Sequence, residues 1–130
     1  MNKRDRNVLV KIIEETDILV RMLNDIDEKG FLLNDEKMRA VCMTLINIGE
    51  LAKTLTHDLR EKHTQIPWKE MAGLRDVTAH GYFTLRMSDI WIYAAVEMPL
   101  FSAQIKGILD NEEETDTAIL ELKGDSEEEH

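Results

Sequence analysis

One cysteine, Cys42, stands alone in 130 residues, so no internal disulfide can form and a cysteine-rich metal site is excluded. Proline and glycine are scarce, at 2 and 6 residues, and aromatics make up only 5% of the chain. That is too little turn chemistry and too little β-favouring bulk for a sandwich or barrel of short strands. Long apolar runs are missing as well. The longest, Ile90 to Val96, stops at Glu97, far short of the roughly 18 to 20 residues a membrane-spanning helix needs. The charged stretch Met1 to Asn7 leads into an amphipathic pattern containing acids rather than a continuous apolar segment, which argues against a secretory leader. A reducing cytoplasm is the expected compartment. What is present suits one soluble helical domain: 43% hydrophobic residues can form a real core, and 32% charged residues can cover it.

Basic charge is in deficit, with 16 Lys and Arg against 26 Asp and Glu, a net charge of −10. The deficit is local. Ten acids and one base, Lys123, lie between Asp110 and His130, giving −9 there and leaving residues 1–109 at −1. The chain therefore reads as a helical domain over 1–109 and an acidic, solvated extension over 110–130. Such a tail could dock on a basic partner or shield the body's own basic surface.

Apolar residues at Leu9, Ile12, Ile13, Leu19, Val20, Leu23 and Ile26 recur every three to four positions and predict a helix over about 3–28, stopped by Gly30. Asn34 or Asp35 can cap a second helix with the stripe Met38, Val41, Cys42, Leu45, Ile48, Ala52 and Leu55. A short extra turn is expected near 58–63. Pro67 suits the first turn of a third helix that Gly81 would end, burying Trp68, Met71, Ala72 and Leu74. Ser88 or Asp89 can cap a fourth, with Ile90, Tyr93, Ala94, Leu100, Phe101, Ile105 and Ile108 inward and a kink at Pro99. Four main helices with a short extra turn make an all-α bundle.

The densest chemistry lies between Arg75 and Tyr82, where Arg, Asp, His and Tyr fall within eight positions. Asp76 and His80 are four apart and share a helical face, whereas Arg75 and His80 are five apart, about 140° around the axis. A helix ending at Gly81 would put His80 in its last turn, where the chain can bend back and bring imidazole, guanidinium and the Tyr82 hydroxyl together. The Asp76 carboxylate and the negative helix end favour the imidazolium. An arginine beside such a histidine is suited to a phosphate, held through two parallel hydrogen bonds. Taken bare, Arg-x4-His is a common spacing; the plainer reading is a surface arginine with a capping histidine, and Tyr82-Phe83 as a hydrophobic plug.

In combination the motifs say more. Ile66-Pro67-Trp68, Gly73-Leu74-Arg75-Asp76 and His80-Gly81-Tyr82-Phe83, with Asn47-Ile48-Gly49-Glu50 on the second helix and Met98-Pro99-Leu100 on the last, resemble the HepT-like members of the HEPN superfamily. These are small helical ribonuclease toxins paired with a minimal nucleotidyltransferase (MNT) antitoxin. The resemblance covers roughly residues 5 to 109. Asp76 stands where members carry Asn or Asp, and Thr78 departs from a commonly apolar position.

The resemblance implies a HEPN-like bundle acting as a homodimeric, metal-independent endoribonuclease that needs no cofactor. The chemistry agrees with a dimer. Attack of a ribose 2′-hydroxyl on the adjacent phosphate needs a base and an acid, and each chain has one histidine in the motif. A twofold axis would supply the second. His80 is then general base or acid, Arg75 the transition-state clamp and Asp76 the group orienting the imidazole. Tyr82 lines the site and is the residue on which the nucleotidyltransferase would place AMP. Glu50 is a supporting candidate whose plainer role is a packing contact beside Gly49. The alternative is a non-catalytic HEPN module that binds a nucleotidyltransferase partner or a nucleotide, with Arg75 and His80 holding phosphate.

The remaining candidates have plainer explanations. His57 and His63 lack metal-ligand spacing and read as exposed loop residues. Glu14, Glu15 and Asp17 read as a solvated face, Cys42 as a buried small hydrophobe, and Trp68 and Trp91 as anchors in the core or a dimer face. Lys53, Arg60, Lys62, Lys69 and Arg86 flank the motif and can steer phosphates.

Overall fold

A computed structural model describes residues 1–81 and 87–112 of the chain, and for residues 76–81 the backbone alone. The described residues are helical throughout, with short connections and no strand. The expected all-α class is therefore observed. The order is α1 (Lys3–Leu23), α2 (Glu28–Leu32), α3 (Asp35–Lys53), α4 (His57–Lys62), α5 (Trp68–Gly81) and α6 (Met87–Ile92), which runs through a π-helical segment at Tyr93–Glu97 into α7, residues 98–112.

Local chemistry explains each start. Asn2 accepts from the Asp5 amide at 2.7 Å, Asn34 from the Lys37 amide at 3.0 Å and Thr56 from the Leu59 amide at 3.3 Å, each satisfying an orphan donor of a first turn. Before α5 the Pro67 carbonyl takes the Met71 amide at 3.0 Å, so the proline sits just ahead of the helix rather than within its first turn.

Two boundaries differ from expectation. The first helix ends at Leu23 instead of running to about 28, and Gly30 lies inside a separate short helix. Asn24, Asp25 and Asp27 favour caps and turns over helix interior, and Asp27 accepts the Gly30 amide at 2.8 Å to begin α2. The last helical stretch starts at Met87, so Ser88 and Asp89 lie within its first turn and do not cap it.

The π segment corrects the predicted inner face of the last helix. Pro99 has no amide hydrogen, and its ring would clash with the carbonyl four residues back in a regular helix. The chain instead widens: the Met98 amide reaches the carbonyl of Tyr93, five residues back. One extra residue per turn rotates everything beyond it. Ile90 is buried before it, Ala94 within it, and Met98, Ser102, Ile105 and Ile108 after it, while Leu100, expected inside, is 61% exposed. Val20 of α1 is likewise half exposed.

Inside, α3 packs most extensively on α5 and also against α1, and the π segment closes onto α1. Leu9, Ile12 and Leu19 of α1 meet Val41, Leu45 and Ile48 of α3 and Met71 and Leu74 of α5 in a continuous core. Each such side chain contributes about 1.5–3 kcal/mol through burial. Trp68 and Trp91 are anchors here: the Trp68 indole N–H donates to the His63 carbonyl at 2.8 Å, and Trp91 packs tilted on Phe31 with ring centroids 5.4 Å apart. Cys42 is buried, and burial pushes its thiol pKa up, leaving an inert small hydrophobe.

One polar clasp is buried. Asp5, 2% exposed, accepts the Thr56 amide at 3.1 Å and the Thr56 hydroxyl at 2.5 Å, tying the start of α1 to the start of α4. Among the described residues no helix is long and apolar enough to cross a membrane.

Candidate functional site

The crossing of α3 and α5 sets the geometry around Arg75. A Cβ on Gly49 would lie 2.5 Å from the Arg75 amide nitrogen and 2.8 Å from its Cβ, so only a glycine lets the two backbones meet there. Burial of Ile48 and Leu74, the residues beside this contact, fixes the rotation of both helices.

The residue after the glycine uses that closeness. Glu50 Oε1 accepts from Arg75 Nε at 2.6 Å. The two side chains are 54% and 38% exposed, so the pair is reachable from solvent and adds little to stability by itself. Its geometric effect is larger, because a bond at Nε holds the plane of the guanidinium. Glu50, Asn47 and Leu51 of α3 also line a surface cavity of about 320 Å³ with Lys11, Glu14 and Glu15 of α1. Two of the acids read as a solvated face thus border the site.

Of the sequence candidates, Arg75 and Glu50 are brought together. Asp76 and His80 lie on α5, which carries them on one face by its register, but their side chains are outside the described residues, as is all of Tyr82. Arg86 is outside them too. Lys62 is committed to Glu112 at 2.8 Å, and Arg60 Nε donates to the Thr56 carbonyl at 3.4 Å. Lys69 is exposed in the first turn of α5.

The histidines outside the motif split. His57 is exposed and pairs with Glu61 at 2.8 Å, within α4 rather than a loop. His63 is a correction: it ends α4 with its side chain only 15% exposed, and Nε2, 3.9 Å from Glu112 Oε1, has no hydrogen-bond partner among the described residues. Burial and the neighbouring Lys62 charge lower its pKa. Glu112 is shifted down by its hydrogen bond from Lys62.

A group that sequence reasoning passed over sits at the π segment. Burial raises the pKa of Tyr93, helped by the charges of Glu70 and Glu97 and a hydrogen bond with Glu70. Glu97 is raised by burial and by Glu70, and its Oε2 is buried without a hydrogen-bond partner among the described residues. The available signal was Pro99, whose demand for a widened turn places Tyr93 and Glu97 at the two ends of one π turn.

The all-helical fold agrees with what comparison with known proteins shows. Residues 12–108 match the family described as ribonuclease HepT-like. The chain belongs to that HepT-like family. Relatives include "Putative RNase TTE0752" of Caldanaerobacter subterraneus subsp. tengcongensis, 36% identical over 85% of this chain and 98% of its own length. "Putative RNase MJ0125" of Methanocaldococcus jannaschii is 35% identical over 88% of this chain and 99% of its own. "Probable ribonuclease HepT" of Thermococcus cleftensis is 29% identical over 76% and 90%. No solved structure matches.

Proposed function

We propose that this protein is a metal-independent endoribonuclease, the toxin of a HepT/MNT type toxin–antitoxin pair, working in the cytoplasm as a homodimer. The observation that carries the reading is the Glu50–Arg75 contact. It fixes a phosphate-binding guanidinium on the helix that also bears Asp76 and His80, in a chain of the HepT-like family.

The 2′-hydroxyl attacks the neighbouring phosphorus, and the 5′-oxygen leaves. His80 takes the hydroxyl proton or protonates the leaving oxygen, with the second histidine supplied by the partner protomer. Arg75 stabilises the charge on the phosphorane, and Asp76 orients the imidazole. An exposed apolar stripe, Ile92, Val96 and Leu100, supports burial in an assembly. Tyr82 is the acceptor of AMP from the nucleotidyltransferase, whose bulk and negative charge would close the site. The acidic tail lowers RNA affinity by competition. Equal RNA affinity and cleavage rate with and without residues 111–130 would overturn that part.

The test is cleavage of mixed transfer and messenger RNA in EDTA by unmodified protein and by His80→Ala. Cleavage abolished in the variant, with dimerisation kept, supports the proposal. An unmodified dimer that cleaves neither RNA supports the non-catalytic binding module instead.

A further inference from the structure

We infer that a groove at the α4–α5 junction, continued along an uncovered face of α5, holds single-stranded RNA on one side of the scissile phosphate. The inference rests on the ribonuclease reading above and names where that site's substrate runs.

The groove encloses about 360 Å³, with a floor of Ile66, Pro67 and Trp68 and a rim of His57, Arg60 and Lys69. Its floor is rigid, because the Trp68 indole is tied to the His63 carbonyl and Ile66 is buried in the core. The Arg60 guanidinium is held at the rim by its bond to the Thr56 carbonyl. The acid on this rim, Glu61, faces His57 at 2.8 Å. Two cations above an apolar floor match a nucleotide, which offers a phosphate and a flat, weakly polar base.

Continuity with the Arg75 helix singles out RNA over other anions. In the register of α5, positions 69, 73, 76 and 80 fall along one line, the first and last being about 20° apart around the axis and about 16 Å apart along it. At position 73 a Cβ would meet nothing within 4 Å, so among the described residues none covers this face there. A strand leaving a phosphate at the His80 end passes position 76, an aspartate, then crosses the glycine backbone at 73 and reaches Lys69. Its next base then rests on Pro67. Substrate affinity therefore depends on residues remote from Arg75, while the chemical step does not.

The experiment compares wild type with Lys69→Glu and with Arg60→Glu/Lys69→Glu. It measures anisotropy with a fluorescent single-stranded RNA of about ten nucleotides across a salt series, beside cleavage of a dinucleotide too short to reach the groove. The double variant is expected to bind the longer RNA about tenfold more weakly, with the slope of log affinity against log salt reduced by about 1.4, roughly 0.7 for each phosphate no longer neutralised. Dinucleotide cleavage stays unchanged. Should the double variant melt early, the single exposed Lys69→Glu, expected to show half that reduction in slope, decides.

Unchanged affinity and slope overturn the groove while leaving the ribonuclease reading intact. So does displacement of the RNA by a glutamate-rich peptide as effectively as by unlabelled RNA. Weakened binding in a protein that cleaves nothing keeps the groove and overturns the ribonuclease reading.

Discussion

Gly49 and Arg75 touch through their backbones: the Arg75 amide nitrogen lies 2.5 Å from where a Cβ on residue 49 would stand. Gly49→Ala therefore forces α3 and α5 apart at the position that presents Arg75, and is expected to cost about 1–3 kcal/mol in denaturant unfolding. Gly73→Ala is the opposite case. Its Cβ enters open space within the same helix and is expected to stabilise by about 0.5–1 kcal/mol. Equal effects of the two would contradict the crossing described.

Glu50→Gln removes the charge that holds Arg75 Nε. The pair is half exposed, so stability is expected to move by about 1 kcal/mol or less. If Arg75 clamps a transition state, kcat for RNA cleavage falls by about tenfold to a hundredfold with KM little changed. A variant with full kcat would leave Glu50 as a packing residue.

Asp5→Ala strips two hydrogen bonds from Thr56 inside the protein. The stranded amide and hydroxyl are expected to cost about 2–4 kcal/mol, read by thermal unfolding. Asp5→Asn, which keeps an acceptor, should lose less. A change within error for both would mean the clasp is replaced by water.

Glu97 gives a pH dependence. Its folded pKa is raised above 4.5 by burial and by Glu70, so the folded state binds the proton more tightly than the unfolded one. The stability this contributes is fully present below pH 4.5 and is lost as pH rises through the raised value. Glu97→Gln does not titrate, so it is expected to be more stable than wild type at pH 7 by a margin that shrinks toward pH 4. A margin independent of pH would refute the assignment.

The sequence by itself determined the helices that carry the core, because burial repeats at 3.6 residues and needs no partner to be visible. Leu9, Ile12 and Leu19, the α3 stripe from Val41 to Ala52 with Leu55 just beyond it, and Met71 and Leu74 were all legible in this way. Arg75 and Glu50 were legible as separate candidates. Their contact was not, since 25 residues separate them and only the packing of α3 on α5 brings Nε to Oε1. Tertiary structure also decided the outer face of the last helix. Pro99 announces a fault in the ladder, but whether the chain bends or widens depends on how the segment before it packs against α1, and widening moved Leu100 to the surface. Periodicity is a local property of the chain, whereas a glycine crossing, a buried clasp such as Asp5–Thr56 and a π turn depend on distances between segments remote in sequence.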